Sequence, residues 1–227
     1  MHDLPKAFRL VGVSGVARQG WSSPATRMAL VAEPLQLAEP VISQVENLAP
    51  PLLHQIIELE DACFVPCERL GPFTMQQQAL QRTSGLLLAE MCAAVRAFIS
   101  AATALHSPRR HRARASRRGS NLSGYLLFSR SATAGLITKL AVSVAFRRCG
   151  IGSALLRRGI QELERPARRS APSEIQLHVD PANTSARSLY ESFGFERVAL
   201  LPKYYSDSRD ALLMRRLTAA TEAVRQC

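Results

Sequence analysis

The chain has 227 residues, 47% of them hydrophobic and 21% charged, enough for one well-buried domain of roughly 150 residues with appendages. Its apolar runs stop well short of the ~20 residues that span a bilayer, so no membrane insertion is expected. The formal charge of +11 is concentrated: the run from Arg109 to Arg118 carries six arginines and no acid, residues 1–32 carry a net +3, and only +2 is left elsewhere, so the basic balance does not by itself indicate nucleic-acid binding.

The first 35 to 40 residues contain almost no acid, scatter Arg, Ser and Ala, and lack the continuous apolar segment of a secretory signal. That composition fits an organellar transit peptide, which would send the protein to a plastid or another organelle. It fits equally a tail without address information, which would leave the protein in the cytoplasm. From Pro51 the sequence turns periodic: Leu52, Leu53, Ile56, Ile57, Leu59 and Phe64 share one helical face, and Pro66 ends the helix. A second short helix follows Gly71 and Pro72. The compact apolar runs Ser84 to Met91 and Leu122 to Ser129 read as buried strands that pair as a hairpin. Between them, residues 93–120 form an arginine-rich insertion, with a short helix from Ala93 to Leu105 and a loop without apolar periodicity. A third strand, Gly135 to Val144, runs through a basic glycine turn into a helix marked by Ile151, Leu155, Leu156, Ile160 and Leu163.

The stretch Glu174 to Val179 alternates as a strand, a helix begins near Asn183, and two closing strands flank PKYYSDSRD. The order αα-ββ-β-α-β-α-ββ predicts an α/β (α+β) sandwich, a mixed and mostly antiparallel sheet flanked by helices. The predicted domain covers residues 46–217, with an extension over 1–45 and a tail over 218–227. Five cysteines (Cys63, Cys67, Cys92, Cys149, Cys227) are irregularly spaced, without a CxxC pair or clustered histidines, and indicate neither a metal site nor a disulfide framework.

The chemistry concentrates where Arg147, Arg148, Cys149, Gly150, Ile151, Gly152 and Ser153 lead into a helix. Two glycines let the backbone approach a ligand, and the first free N–H groups of a helix point at whatever anion lies there; a pyrophosphate suits them. This stretch resembles the acetyl-CoA signature of the GNAT superfamily, Arg/Gln-x-x-Gly-x-Gly/Ala. The segment LHVDPANTSARSLYESFGFERV, about thirty residues on, resembles the family's second signature. The resemblance spans roughly residues 50 to 217 and is strongest from 136.

Within the superfamily the likeness is greatest to protein N-terminal acetyltransferases, both those that modify a bacterial ribosomal protein and those that act on nascent chains. It implies a GNAT fold and an enzyme that transfers acetyl from acetyl-CoA, used as co-substrate without a metal, to protein N-terminal α-amino groups, with lysine side chains as a further acceptor. Leu140, Ala141 and Val142 occupy the strand whose backbone pairs with the pantetheine arm, residues 147 to 153 the pyrophosphate loop, and Asn183 and Ser185 the start of the next helix. His178 stands where relatives carry a general base, and an imidazole accepts protons at neutral pH. Tyr190 matches the tyrosine that donates a proton to the CoA sulfur. Phe64, Val65, Pro66, Tyr204 and Tyr205 inherit the grip on the acceptor's first residues. One departure is Leu136, at a position where some relatives have a tyrosine that shares the base role. Acetylation of a small-molecule amine remains an alternative, since the fold does not fix the acceptor. A non-catalytic adaptor that binds ribosomes or RNA through Arg109 to Arg118 is another, because guanidinium runs bind phosphate without sequence preference.

Overall fold

The computed structural model describes residues 39–92, 122–131, 133–165 and 172–218, with single positions at 95, 97 and 221. Seven strands form one sheet: β1 (Val41–Gln44), β2 (Ser84–Glu90), β3 (Leu122–Arg130), β4 (Ala134–Val142), β5 (Glu174–Val179), β6 (Glu196–Ser206) and β7 (Arg209–Leu217). Their spatial order is β1-β2-β3-β4-β5-β7-β6. Every neighbouring pair is antiparallel except β4 and β5, which are parallel and joined through a helix. The helices are α1 (Pro50–Cys63), α2 (Pro72–Ala79), α3 (Ile151–Glu164) and α4 (Thr184–Ser192).

The central strands are covered on both faces, which is why they read as nearly continuous apolar runs. Leu87, Leu126, Phe128 and Ile175 pack beneath Leu155, Leu156, Ile160 and Leu163 of α3. Leu86, Leu88, Tyr125 and Leu127 pack under Ile56 and Leu59 of α1 and Met75 of α2. Helix α3 lies close on β3 at Gly159, where an added Cβ would stand 2.9 Å from Leu126 Cδ2.

The predicted order holds with one addition at its front. Strand β1 falls inside the segment assigned to the N-terminal extension; it is short and mostly exposed, so alternation could not reveal it, and backbone pairing to β2 holds it. Strand β4 ends at Val142 rather than Val144, because Val144–Phe146 winds into a 3-10 turn. Strand β6 continues through Tyr204 and Tyr205 to Ser206, a stretch expected between the closing strands. The Ala93 to Leu105 helix lies outside the described residues, apart from Val95 and Ala97, which are helical. The arginine run and the extension up to residue 38 lie outside them too.

One polar cluster sits inside the α1 face. Glu60 is 0% exposed; its carboxylate takes Lys139 Nζ at 3.0 and 2.8 Å, the Leu70 amide at 2.8 Å and the Tyr125 hydroxyl. Lys139 Nζ also donates to the Glu68 carbonyl at 2.5 Å and lies 4.0 Å from the centre of the Phe64 ring. With four hydrogen bonds reaching one carboxylate, the cost of desolvating the pair is offset. Replacing Glu60 by Ala leaves the Lys139 side chain, 10% exposed, without its counter-ion, and is expected to cost about 3–5 kcal/mol of stability by urea unfolding. The double variant Glu60→Leu, Lys139→Met is expected to recover most of that loss.

Candidate active site

The site begins with a strand that changes neighbours. Ala134 to Ile137 of β4 pair with Glu174 to Leu177 of β5, and the pairing stops there. Between Ile137, opposite Phe128, and Lys139, opposite Leu127, β4 carries an extra residue, Thr138. Such a bulge bends the strand and switches which side chains face each side. Ile137 faces the α3 layer before it, Leu140 and Val142 face that layer after it, and Lys139 and Ala141 turn toward α1. Past the bulge, β4 pairs with β3 alone, while His178 and Val179 of β5 pair only with Leu213 and Leu212 of β7. The wedge between Leu140 to Val142 and His178 leaves peptide groups without a strand partner among the described residues, an edge on which an extended ligand can hydrogen-bond.

At one end of the wedge the chain turns into α3. Arg148 has φ 65° and Gly150 φ 79°, left-handed conformations that suit glycine and strain arginine. The first intrahelical bond runs from the Ala154 amide to the Gly150 carbonyl at 3.0 Å; the amides of Ile151, Gly152 and Ser153 precede it, and no side chain caps them. These amides, the helix dipole and Arg148 favour an anion. Arg147 folds back to the Val142 carbonyl at 3.4 Å, which also accepts from the Cys63 thiol at 3.4 Å. The Cys149 thiol bonds to the Arg147 carbonyl at 3.6 Å. A Cβ at Gly152 would stand 3.4 Å from Leu189 and 3.7 Å from Val142, so a longer side chain there would intrude between α3, α4 and β4.

A groove of about 430 Å³ continues from Arg148 along Thr184, Ser185, Ser188, Leu189 and Ser192. Asn183 caps α4, its Oδ1 accepting the Ala186 amide at 3.1 Å. The hydroxyls at 184, 188 and 192 recur at one-turn spacing; that periodicity was visible in the sequence, where only Ser185 was singled out.

At the other end lie the ionisable rings. His178 is half-buried and stacks on Tyr204, centroids 4.6 Å apart and planes 17° off parallel. Burial lowers its pKa from the ordinary 6.5, because desolvation disfavours the charged form. Tyr190 is 7% exposed, packs edge-on against Phe195, and burial pushes its hydroxyl up to about 12. Tyr205 stands perpendicular to Tyr204 at 5.1 Å. Burial raises its pKa, with the charges of Glu68, Tyr204, Tyr190 and Asp180 adding to the effect.

The two tyrosines reach this point because β6 is irregular: residues 202–205 stand opposite the single Asp210, between the pairs Leu201 with Ala211 and Ser206 with Arg209, and Lys203 has φ 55°. Facing them, Phe64, Val65 and Pro66 form the link from α1 into a 3-10 turn (Pro66–Glu68). Arg69 pins this link through the carbonyls of Phe64 at 2.9 Å and Asp61 at 3.0 Å. Val65 is 46% exposed. Leu136 lies in the regularly paired part of β4, opposite Gln176.

The sequence-predicted residues thus fall at two ends of one wedge, one at the α3 turn and one at the tyrosine strand. Sequence reasoning missed Glu60, Glu68, Lys139, Asp180 and Arg209, which tie the Phe64 to Glu68 link and the tyrosine strand together. The signals for two of them were an acid on the apolar stripe of α1 and a lone lysine in GLITKLAVSV.

A family model described as the acetyltransferase (GNAT) family matches residues 53–195, from α1 through Phe195. The chain belongs to the GNAT acetyltransferase family. Over 80 residues it is 38% identical to an N-alpha-acetyltransferase of Sulfolobus acidocaldarius, covering 35% of this chain and 46% of that one. It is 36% identical over 81 residues to N-alpha-acetyltransferase 30 of Homo sapiens, covering 36% and 21%. The chain therefore spans about half the length of the archaeal relatives it matches. Among solved structures, the ribosomal-protein-S18-alanine N-acetyltransferase from Escherichia coli shares the fold with TM-score 0.55 and 18% identity, over 78% of this chain and 94% of that one. A chain of a NatC complex bound to Gag peptide and CoA gives TM-score 0.59 at 20% identity, over 79% and 98%. Among the described residues of this GNAT fold, no helix is long and apolar enough to cross a membrane.

The direction of the His178 shift is testable. The folded state holds this imidazole neutral where the unfolded chain would be protonated, so its contribution to stability is present above pH 6.5 and lost as pH falls below it. An NMR titration of His178 is expected to give a pKa below 6.5.

Proposed function

We propose that this protein transfers the acetyl group of acetyl-CoA to the α-amino group of protein N-termini. The observation that carries the reading is the meeting, at one wedge, of an uncapped glycine-rich helix start, a strand edge with open peptide groups, and two rings with opposed proton-transfer capacities. The aromatic link and tyrosine strand that flank the wedge, and the similarity to proteins named N-alpha-acetyltransferase, favour a peptide amine over a small molecule.

Acetyl-CoA, when bound, supplies the activated thioester. The amides of Ile151, Gly152 and Ser153, with Arg148, hold its pyrophosphate, and the hydroxyls of Thr184, Ser188 and Ser192 line the groove beyond. Leu140, Ala141 and Val142 present backbone to its pantetheine arm, and the Asn183 amide nitrogen is left over from capping to meet it. His178, kept neutral by burial, takes through water the proton that the attacking amine sheds; Leu136 offers no second base. Tyr190, kept protonated by the same desolvation, donates its hydroxyl proton to the departing sulfur. Phe64, Val65 and Pro66 grip the acceptor's first residues against Tyr204 and Tyr205. A lysine amine on a flexible chain presents the same nucleophile, and its use is read directly in the test below. The arginines from 109 to 118 serve in this reading as a ribosomal-RNA tether near nascent chains, and the residues before the domain as an organellar address.

Replacing Gly152 by Glu is expected to abolish acetyl-CoA binding in calorimetry, by bulk and by repulsion of the pyrophosphate; retained affinity would sink the cofactor assignment. The catalytic reading is tested by acetyl transfer to a library of peptides with varied N-termini, with α-amino and lysine products separated by mass spectrometry. Predominantly α-amino products are expected, and His178→Ala is expected to lower kcat about 10²-fold with acetyl-CoA affinity unchanged. Binding of acetyl-CoA without any peptide product would point to a small-molecule amine.

A further inference from the structure

Arg209, the first residue of β7, has no part in the steps above, yet it touches three walls of the acceptor end. Its guanidinium meets Glu68 Oε1 at 2.5 Å and Asp180 Oδ2 at 2.5 Å, and lies 5.4 Å from the centre of the Tyr205 ring. Each acidic residue is anchored a second time, Glu68 through its backbone and Asp180 through its carboxylate. The Glu68 carbonyl takes Lys139 Nζ, and Asp180 Oδ1 takes the Ala182 amide at 2.8 Å in the turn toward α4. Arg209 thus joins the link from α1 to α2, which carries Phe64, Val65 and Pro66, to the strand end two residues beyond His178 and to the tyrosine strand. One planar fork that hydrogen-bonds Asp180 through one nitrogen and pairs in charge with Glu68 through the other is harder for lysine to reproduce, because an ammonium is a point donor on a flexible stem. Only about a third of the Arg209 side chain is exposed, which reduces solvent screening of both pairs. The hydrogen bond from Arg209 also holds the Asp180 carboxyl below its usual range.

We infer that Arg209 is a positioning residue that fixes the width of the acceptor slot, by clamping the Phe64 to Glu68 link against the ends of β5 and β6 through Glu68 and Asp180. The clamp rests on the reading of this end of the wedge as the peptide site. It acts on the acceptor and leaves the donor alone: its partners line the slot opposite the α3 loop, and none of them lines the groove that begins at Arg148.

The test uses the full chain with Arg209→Gln, Arg209→Lys and Glu68→Gln, acetyl-CoA, and the best peptide from the library. Arg209→Gln is expected to raise the peptide KM about tenfold, as loss of a partly exposed double ion pair should, with kcat within about threefold and acetyl-CoA affinity unchanged. Arg209→Lys should fall between Arg209→Gln and the parent, and Arg209→Gln placed on Glu68→Gln should add less than it does alone. In hydrogen exchange, the amides of residues 64–70 should exchange faster in Arg209→Gln and in Glu68→Gln. A KM moved less than twofold together with unchanged exchange at 64–70 overturns the clamp, as does a fall in kcat with KM held. Should Arg209→Gln not fold, Glu68→Gln carries the same exchange and KM comparison with β7 intact. Faster exchange in a protein whose parent acetylates no peptide would keep the clamp and remove the peptide reading.

Discussion

Because side chains alternate along a strand, the single extra residue at Thr138 turns every later side chain of β4 to the opposite face from the one it would otherwise take. Two consequences meet at that residue. The strand leaves β5, so the sheet opens into the wedge in which His178 and the backbone of Leu140 to Val142 face each other. Lys139 is delivered to the α1 side, where Glu60 holds it and where it in turn holds the Phe64 ring and the Glu68 carbonyl. Were Thr138 paired in regular alternation rather than bulged, Lys139 would take the same side as Ile137 and point into the apolar layer beneath α3. The open strand edge and the support of the acceptor link therefore share one cause in the backbone.

The electrostatics of the two ends differ in kind. At the α3 turn, attraction for anions comes from peptide dipoles and from arginines near the rim, a fixed field that needs no titration. At the tyrosine end, desolvation acts on two rings with opposite acid–base sense: it lowers the pKa of His178 and raises that of Tyr190, because in each case the charged form is the one that loses solvation. The base and acid roles proposed for His178 and Tyr190 would thus draw on burial, the cause of both shifts. The carboxylates nearby, Glu68 and Asp180, are paired with Arg209.

Much of this site was legible in the residues. Gly150 and Gly152 announced the turn, the first taking a positive φ and the second leaving space beside Leu189 and Val142, and His178 stood out as the lone imidazole on an alternating strand. Helices α1 and α3 followed from apolar spacing, since each covers the sheet with one stripe. What escaped were features made by contacts distant in sequence. Glu60 and Lys139 are 79 residues apart, so although each interrupts an apolar pattern, neither alone names its partner. The bulge at Thr138 has no glycine to mark it. Strand β1 is held by pairing rather than burial, which leaves no pattern, and Arg209 sits in a run of polar turn residues where a clamp looks like any other hairpin charge.

The approach of α3 to β3 at Gly159 bears on binding energy. With Leu126 lodged where a Cβ would be, the helix can neither rise from the sheet nor slide along it without losing close-packed contact. Its first turn is therefore held at a constant offset from the mouth of the wedge, so a long flexible ligand meets two attachment points already spaced for it. The ordering entropy that such a ligand would otherwise surrender jointly with its receptor falls on the ligand alone. On the proposed reading, a residue some two turns from the pyrophosphate site would thus influence affinity, by keeping the ruler rigid.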